Sequence, residues 1–154
     1  MSETMEPVVL DGGSLTIEDV ARVARDPRVR LEIAEKALGR VRESRGQIER
    51  LTARYRDDFD RFRNGEDVRP VFEYGVTTGF GEFKNIPVAP EDLEQLQRNL
   101  LLSHSAGTGT SADPEDPASW YEADVIRAVL VIRLNAFLKG HSGVRPELAR
   151  TLQA

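Results

Sequence analysis

Two stretches of this chain hold side chains of the types and spacing that could do chemistry. The first is Tyr74-Gly75-Val76-Thr77-Thr78-Gly79-Phe80-Gly81, with glycine at three of its eight positions. Glycine permits positive φ and lets backbone approach a ligand closely. A tyrosine at the head of such a loop can present its hydroxyl on a flexible arm. The stretch is not a phosphate loop, because no Gly-Lys-Ser/Thr follows. It also lacks the strand-loop-helix context of a dinucleotide fingerprint. The second stretch is Leu102-Ser103-His104-Ser105-Ala106-Gly107. A histidine near a helix C-terminus serves as a dipole partner, and beside a glycine break it can equally line a pocket. On residue type alone the structural role is the default for His104. His141, in Gly140-His141-Ser142-Gly143, reads as a turn residue.

Other chemistries are excluded by composition. The chain has no Cys, which rules out disulfides, thiolate nucleophiles and Cys-ligated metals. Its two histidines lie far apart, and no HExxH-type metal spacing exists, so no metal site is expected.

The elements that must position these residues follow from periodicity and punctuation. Val8-Val9-Leu10 before Asp11-Gly12-Gly13 predicts a short strand and turn within residues 1–15. Residues 16–63 read as helices. Thr16 with Asp19 forms a capping pattern, and Asp26-Pro27 stops the first helix. A long helix is expected over residues 29–62. Leu31, Ala34, Leu38, Val41, Ile48, Leu51, Tyr55, Phe59 and Phe62 draw its apolar stripe, interrupted at Arg45. Such a helix is either a solvated helix packed on one side or a coiled-coil partner. Residues 64–89 form the Gly-rich Tyr loop. Residues 90–107 predict a helix opened by Pro90-Glu91-Asp92 and broken at Gly107 and Gly109. Residues 108–119 predict an exposed loop, and residues 120–154 predict two more helices. Ser119 and Glu122 suggest a capping box for the first of these. That helix is apolar nearly all round, through Val125, Ile126, Val129, Leu130, Val131, Ile132, Leu134 and Phe137. A helix apolar on every side must be buried on every side. A chain of 154 residues can hardly surround it unaided, so partner chains or further sequence are expected to cover it.

The net charge of −5 gives no electrostatic case for nucleic acid. The acidic, polar start is not a signal peptide, and no apolar run approaches the ~18 residues of a membrane helix. A cytoplasmic protein without a membrane role is the expectation.

Four blocks, in order, carry a resemblance. Residues 74–81 resemble the Tyr-Gly-Val-x-Thr-Gly-Phe-Gly signature of the histidine and aromatic amino acid ammonia-lyases and the related 2,3-aminomutases. Gln97-Arg98-Asn99-Leu100-Leu101-Leu102-Ser103-His104-Ser105-Ala106-Gly107 is similar to their Gln-x-Asn-Leu-x-x-Ser-His-x-x-Gly segment. Residues 133–146, beginning Arg133-Leu134-Asn135, resemble the block that follows. Leu10-Asp11-Gly12 and Ser14-Leu15-Thr16 fit the opening. The resemblance implies a mainly α-helical fold, the N-terminal helical portion of a lyase, with short strands near the N-terminus and the Tyr loop. It implies a methylidene-imidazolone electrophile (MIO) made from an internal Ala-Ser-Gly. It implies Tyr74 as the base that takes a β-proton, with His104 facing the substrate side chain. Gly81 and Leu102 are implied as further substrate-binding positions, and the Tyr loop as a lid. A tyrosine phenol ionises near pH ~10 in water, so a tyrosine base requires surroundings that favour its ionised form. His104 suits a phenol or an imidazole ring better than a bare phenyl.

No Ala-Ser-Gly occurs in this chain. The expectation is therefore the N-terminal part, or a split subunit, of a lyase acting on histidine or tyrosine. Alone it would be inactive. The electrophile would come from a missing segment or a partner chain, or from a full-length form that self-assembles as a tetramer. Thr77-Thr78 and Ser103-His104-Ser105 look similar to the tyrosine aminomutases, which keeps a tyrosine-type 2,3-aminomutase open. A non-catalytic assembly protein is the alternative from outside the enzymes.

Overall fold

The computed structural model describes residues 6–105, 111, 113 and 115–154. In chain order its elements are β1 (Val8–Leu10), α1 (Ile17–Arg25), β2 (Leu31–Ile33), α2 (Glu35–Arg63), α3 (Leu93–His104), α4 (Ala123–Phe137) and α5 (Pro146–Gln153). Short 3-10 turns occupy Gly81–Phe83, Pro90–Asp92 and Pro117–Ser119. The protein is mainly α. The glycine break expected at Gly107 and Gly109, and part of the expected loop over residues 108–119, lie outside the described residues. No helix among the described residues is long and apolar enough to cross a membrane.

The chain divides into two compact units. The first joins Met1–Gln47 to Thr108–Ala154. Its β1 and β2 pair in parallel, Val8 beside Leu31 and Leu10 beside Ile33, with α1 as the crossover. The α1 start is the capping box expected from sequence. Thr16 Oγ1 accepts the Asp19 N–H at 3.1 Å, and the Asp19 carboxylate accepts the Thr16 N–H at 3.3 Å. Such a cap stabilises a helix by about 1 kcal/mol. Val8, Leu10, Val41, Val131, Leu134 and Leu138 pack in one core. Fully burying a side chain such as Leu134 stabilises by about 1.5–3 kcal/mol.

Polar side chains then tie distant segments together. Arg127 donates from Nε and Nη2 to the Ala24 carbonyl, at 2.9 and 2.7 Å, satisfying an oxygen in the last turn of α1. Asn135 Oδ1 accepts the Gly12 N–H at 2.9 Å, and Arg40 Nη2 donates to the carbonyls of Asp11 and Leu138.

Two expectations are corrected here. The long helix begins at Glu35, not at residue 29, because Leu31–Ile33 is a strand. The Val8 N–H donates to Arg30 O at 2.9 Å and the Ala34 N–H to Leu10 O at 3.0 Å, which extends the strand's hydrogen bonding at both ends. The Ser119–Glu122 capping box does not form. Ser119 Oγ donates to the Ser111 and Asp113 carbonyls instead, and α4 starts at Ala123 without a side-chain cap. Within these residues α4 buries Val131 and Leu134, while Val129 is 55% and Ile132 52% exposed.

The second unit is Ile48–Gly107. It contains residues 48–63 of α2, the Tyr loop and α3. Gly65, with φ +83°, follows the end of α2. Tyr55 is buried between Phe59 and Phe72, with ring centroids 5.5 and 6.2 Å away, and its hydroxyl donates to Val88 O at 2.8 Å. α3 is preceded by the Pro90–Asp92 turn and ends at His104, so the helix expected from residue 90 is regular only from Leu93.

Candidate active site

The Tyr loop is a small folded object. Thr78 and Pro87 form an antiparallel bridge, with the Gly79 N–H donating to Ile86 O at 3.1 Å and the Val88 N–H to Thr77 O at 3.0 Å. Tyr74 sits in the turn ahead of this bridge. The Val76 and Thr77 N–H groups both donate to Glu73 O, at 3.1 and 3.0 Å, and the Glu73 N–H donates to Thr77 Oγ1 at 2.8 Å. Gly75 takes φ +68°, and a Cβ there would lie 2.7 Å from Phe80 Cε1. Glycine is thus required both by the dihedral and by the ring above it. Phe80 meets Tyr74 edge-on at 5.8 Å. The Tyr74 ring is 63% exposed, and the Gly81 N–H points at its hydroxyl oxygen from 3.5 Å.

His104 ends α3. Its Nδ1 lies 2.8 Å from the Leu100 carbonyl, an atom that only accepts, so Nδ1 carries the proton and donates. Ser103 Oγ also reaches Leu100 O, at 3.0 Å. In the neutral ring Nε2 is then left as an acceptor. The two roles weighed for this histidine coexist: Nδ1 satisfies a carbonyl of the last helical turn, and Nε2 remains available. Phe80, Phe83, Ile86, Val88, Leu96 and Leu100 form the apolar walls of a cleft of about 520 Å³ that His104 also lines.

Tyr74 and Gly81 therefore come together, and so do His104 and the Phe80 ring. Phe80 belongs to both groups. Tyr74, Gly81 and Leu102 do not line the cleft, and Leu102 is 65% exposed. His141 stands between Gly140 and Gly143, both at positive φ, in the turn expected of it.

Residues 15–154 match the family described as aromatic amino acid lyase. The chain belongs to the aromatic amino acid lyase family. Among similar proteins, the histidine ammonia-lyase of Caldanaerobacter subterraneus subsp. tengcongensis is 40% identical over 148 residues. That match covers 96% of this chain and 24% of the relative. Among solved structures, the tyrosine aminomutase of Streptomyces globisporus matches with TM-score 0.69 and 33% identity, over 96% of this chain and 24% of that one. The ergothionase of Treponema denticola, an ergothioneine-degrading enzyme, matches with TM-score 0.69 and 30% identity, over 96% and 25%. This lyase-family chain thus spans about a quarter of the length of the curated relatives it matches.

Three further residues pack around the candidate site without being marked out by residue type in the sequence. Phe80 and Thr77 sit inside the Tyr motif, and Gln97 sits inside the second block. Gln97 Nε2 donates to Gly75 O at 3.1 Å, across 22 positions of sequence. Only the folded loop reveals that contact; the motif membership of all three was the available clue.

Proposed function

We propose that this chain forms one wall of an ammonia-lyase active site, whose complete enzyme eliminates ammonia from histidine or tyrosine to give an α,β-unsaturated acid. The observation that carries the reading is the acceptor left at His104 Nε2 beside an apolar cleft. An aromatic side chain with a hydrogen-bond donor, a phenol or an imidazole, fits that combination. A bare phenyl would leave the acceptor unpaired, which costs about 1–3 kcal/mol if it is buried in the complete site.

In this reading Tyr74 is the base. Its side-chain oxygen takes the β-proton, the C–H pair becomes the C=C bond, and the C–N pair leaves with nitrogen. His104 orients the ring, Gly81 contributes a backbone N–H beside the tyrosine oxygen, and Leu102 contributes apolar surface. A methylidene-imidazolone, where bound, would supply the electrophilic chemistry that lets the amine depart. No residue of this chain can form it, since Ala-Ser-Gly is absent. A hydroxyl and an imidazole handle a proton and a ring, so the residues present complement such a group without replacing it. A further segment or partner chain carrying Ala-Ser-Gly supplies it, in an assembly of several copies. The exposed apolar side of α4 is consistent with such cover.

A second reading, a tyrosine 2,3-aminomutase, is favoured by the structural match to the Streptomyces globisporus enzyme. The two part at the product. The chain combined with a segment carrying Ala-Ser-Gly, given histidine or tyrosine, should yield a conjugated acid that absorbs in the near ultraviolet. A β-amino acid would replace the lyase reading with the aminomutase one. Neither product would leave an assembly role and overturn both.

A further inference from the structure

The Tyr74 hydroxyl is the group the proposed chemistry depends on, yet the residue is mostly exposed, with its ring edge-to-face against Phe80 and its hydroxyl 3.5 Å from the Gly81 N–H. Its backbone is held far more firmly. On one side the Glu73 carbonyl accepts two N–H groups, and the Glu73 N–H is held by Thr77 Oγ1 at 2.8 Å. Thr77 is fully buried, and its own carbonyl accepts the Val88 N–H at 3.0 Å, which ties it to the opposite arm of the loop. On the other side the Gly75 carbonyl accepts Gln97 Nε2 at 3.1 Å, from α3. Both residues that flank Tyr74 are thus held by a side chain from elsewhere in the same unit, Glu73 through its N–H and Gly75 through its carbonyl. Gly75 holds φ +68° with the Phe80 ring where a Cβ would stand, so a side chain there would disturb the turn.

We propose that Thr77 and Gln97 are positioning residues, a two-sided clamp on the residues flanking Tyr74, Glu73 and Gly75, that sets where its hydroxyl is presented. The assignment rests on Tyr74 being the base. Thr77 stands at the variable position of the Tyr-Gly-Val-x-Thr-Gly-Phe-Gly pattern, so the clamp on this side is a property of this chain and not of the motif's constant letters. Its hydroxyl does what a methyl of the same size cannot: it accepts the Glu73 N–H. Gln97 acts through a donor, which a glutamate of the same shape lacks. A base displaced by even a fraction of an ångström loses rate without losing substrate affinity.

The test uses amide hydrogen exchange on the whole chain, resolved by residue. Thr77→Val should speed exchange of the Glu73 amide by about fivefold, the worth of one hydrogen bond. Thr77→Ser keeps the hydroxyl and should restore protection. Gln97→Glu should speed exchange of the Val76 and Thr77 amides by about fivefold, and Gln97→Lys, which restores a donor, should reverse most of it. The Val20 amide in α1 serves as the control and should not change in any variant. In the complete enzyme Thr77→Val and Gln97→Glu should lower kcat by about tenfold or more with KM little changed, and Thr77→Ser should recover kcat. Unaltered exchange in Thr77→Val and Gln97→Glu, or a serine variant that behaves like the valine one, would overturn the clamp. A rise in KM at constant kcat would overturn its positioning role. Normal turnover of Tyr74→Phe would remove the base assignment and leave the exchange results standing, so the two failures are told apart.

Discussion

Replacing Tyr55 by Phe should destabilise the second unit by an amount that the structure lets one work out. The Tyr55 side chain is 2% exposed, and its hydroxyl donates to Val88 O at 2.8 Å. Burial first, and the charge of Glu91 second, push the phenol above its ordinary ionisation range, so it remains a protonated donor throughout neutral pH. Phe keeps the ring and its contacts with Phe59 and Phe72. What is lost is one hydrogen bond, with the half-buried Val88 carbonyl left without that donor. The expected cost is about 1 kcal/mol. Tyr55→Ala also removes the ring and leaves a cavity, and should cost about 3–5 kcal/mol. In thermal unfolding followed by circular dichroism, the Phe variant should melt about 2–8 °C lower. The Val88 amide, which bonds Thr77 O, should lose protection as well. A Phe variant that melts with the parent, or one that loses as much as the Ala variant, would refute the assignment of that bond.

Gly12→Ala should be far more damaging than its size suggests. Gly12 takes φ +87°, and a Cβ would lie 2.8 Å from Leu138 C and 2.9 Å from Leu138 O, both backbone atoms. The dihedral and the crowding together should cost about 2–5 kcal/mol, read as a fall in the urea midpoint; an unchanged midpoint would contradict the packing described. Asp11 bears on pH. The Gly13 and Ser14 N–H groups and the Ser14 hydroxyl hold its carboxyl at about 2, below the ordinary 3.8. A depressed carboxylate contributes stability that is present above its unfolded value and lost as pH falls through its folded one. Asp11→Asn should therefore flatten the loss of stability between about pH 4 and pH 2, and an unaltered acid limb of the melting curve would count against it. His104→Phe in the complete enzyme should shift preference from tyrosine or histidine toward phenylalanine, measured as the ratio of kcat/KM values; an unchanged ratio would sink the specificity assignment.

Much of this was legible in sequence, for reasons that differ by element. The α1 cap follows from Thr16 and Asp19 because both partners lie within one turn of helix. β2 was missed because Leu31, Ala34, Leu38 and Val41 also satisfy a helical period. The alternation of Val29, Leu31 and Ile33 with Arg28, Arg30 and Glu32 was the strand's mark, and the pairing with β1 decides it. Ser119 carries the letters of a capping box but spends its hydroxyl on Ser111 and Asp113 carbonyls, a choice set by loop geometry. In the candidate site, Tyr74, Gly81 and His104 were legible through their motifs. The cleft and the roles of Thr77, Phe80 and Gln97 were not, because they depend on how the Tyr loop folds back and meets α3. The tautomer of His104 likewise depends on the Leu100 carbonyl.

The central claim, that Tyr74 takes the proton, is tested most directly by Tyr74→Phe in the chain combined with a segment carrying Ala-Ser-Gly. Product formation and substrate binding should be measured side by side. The account expects turnover to fall by about 10²-fold or more with substrate affinity little changed. Turnover close to that of the parent would contradict it.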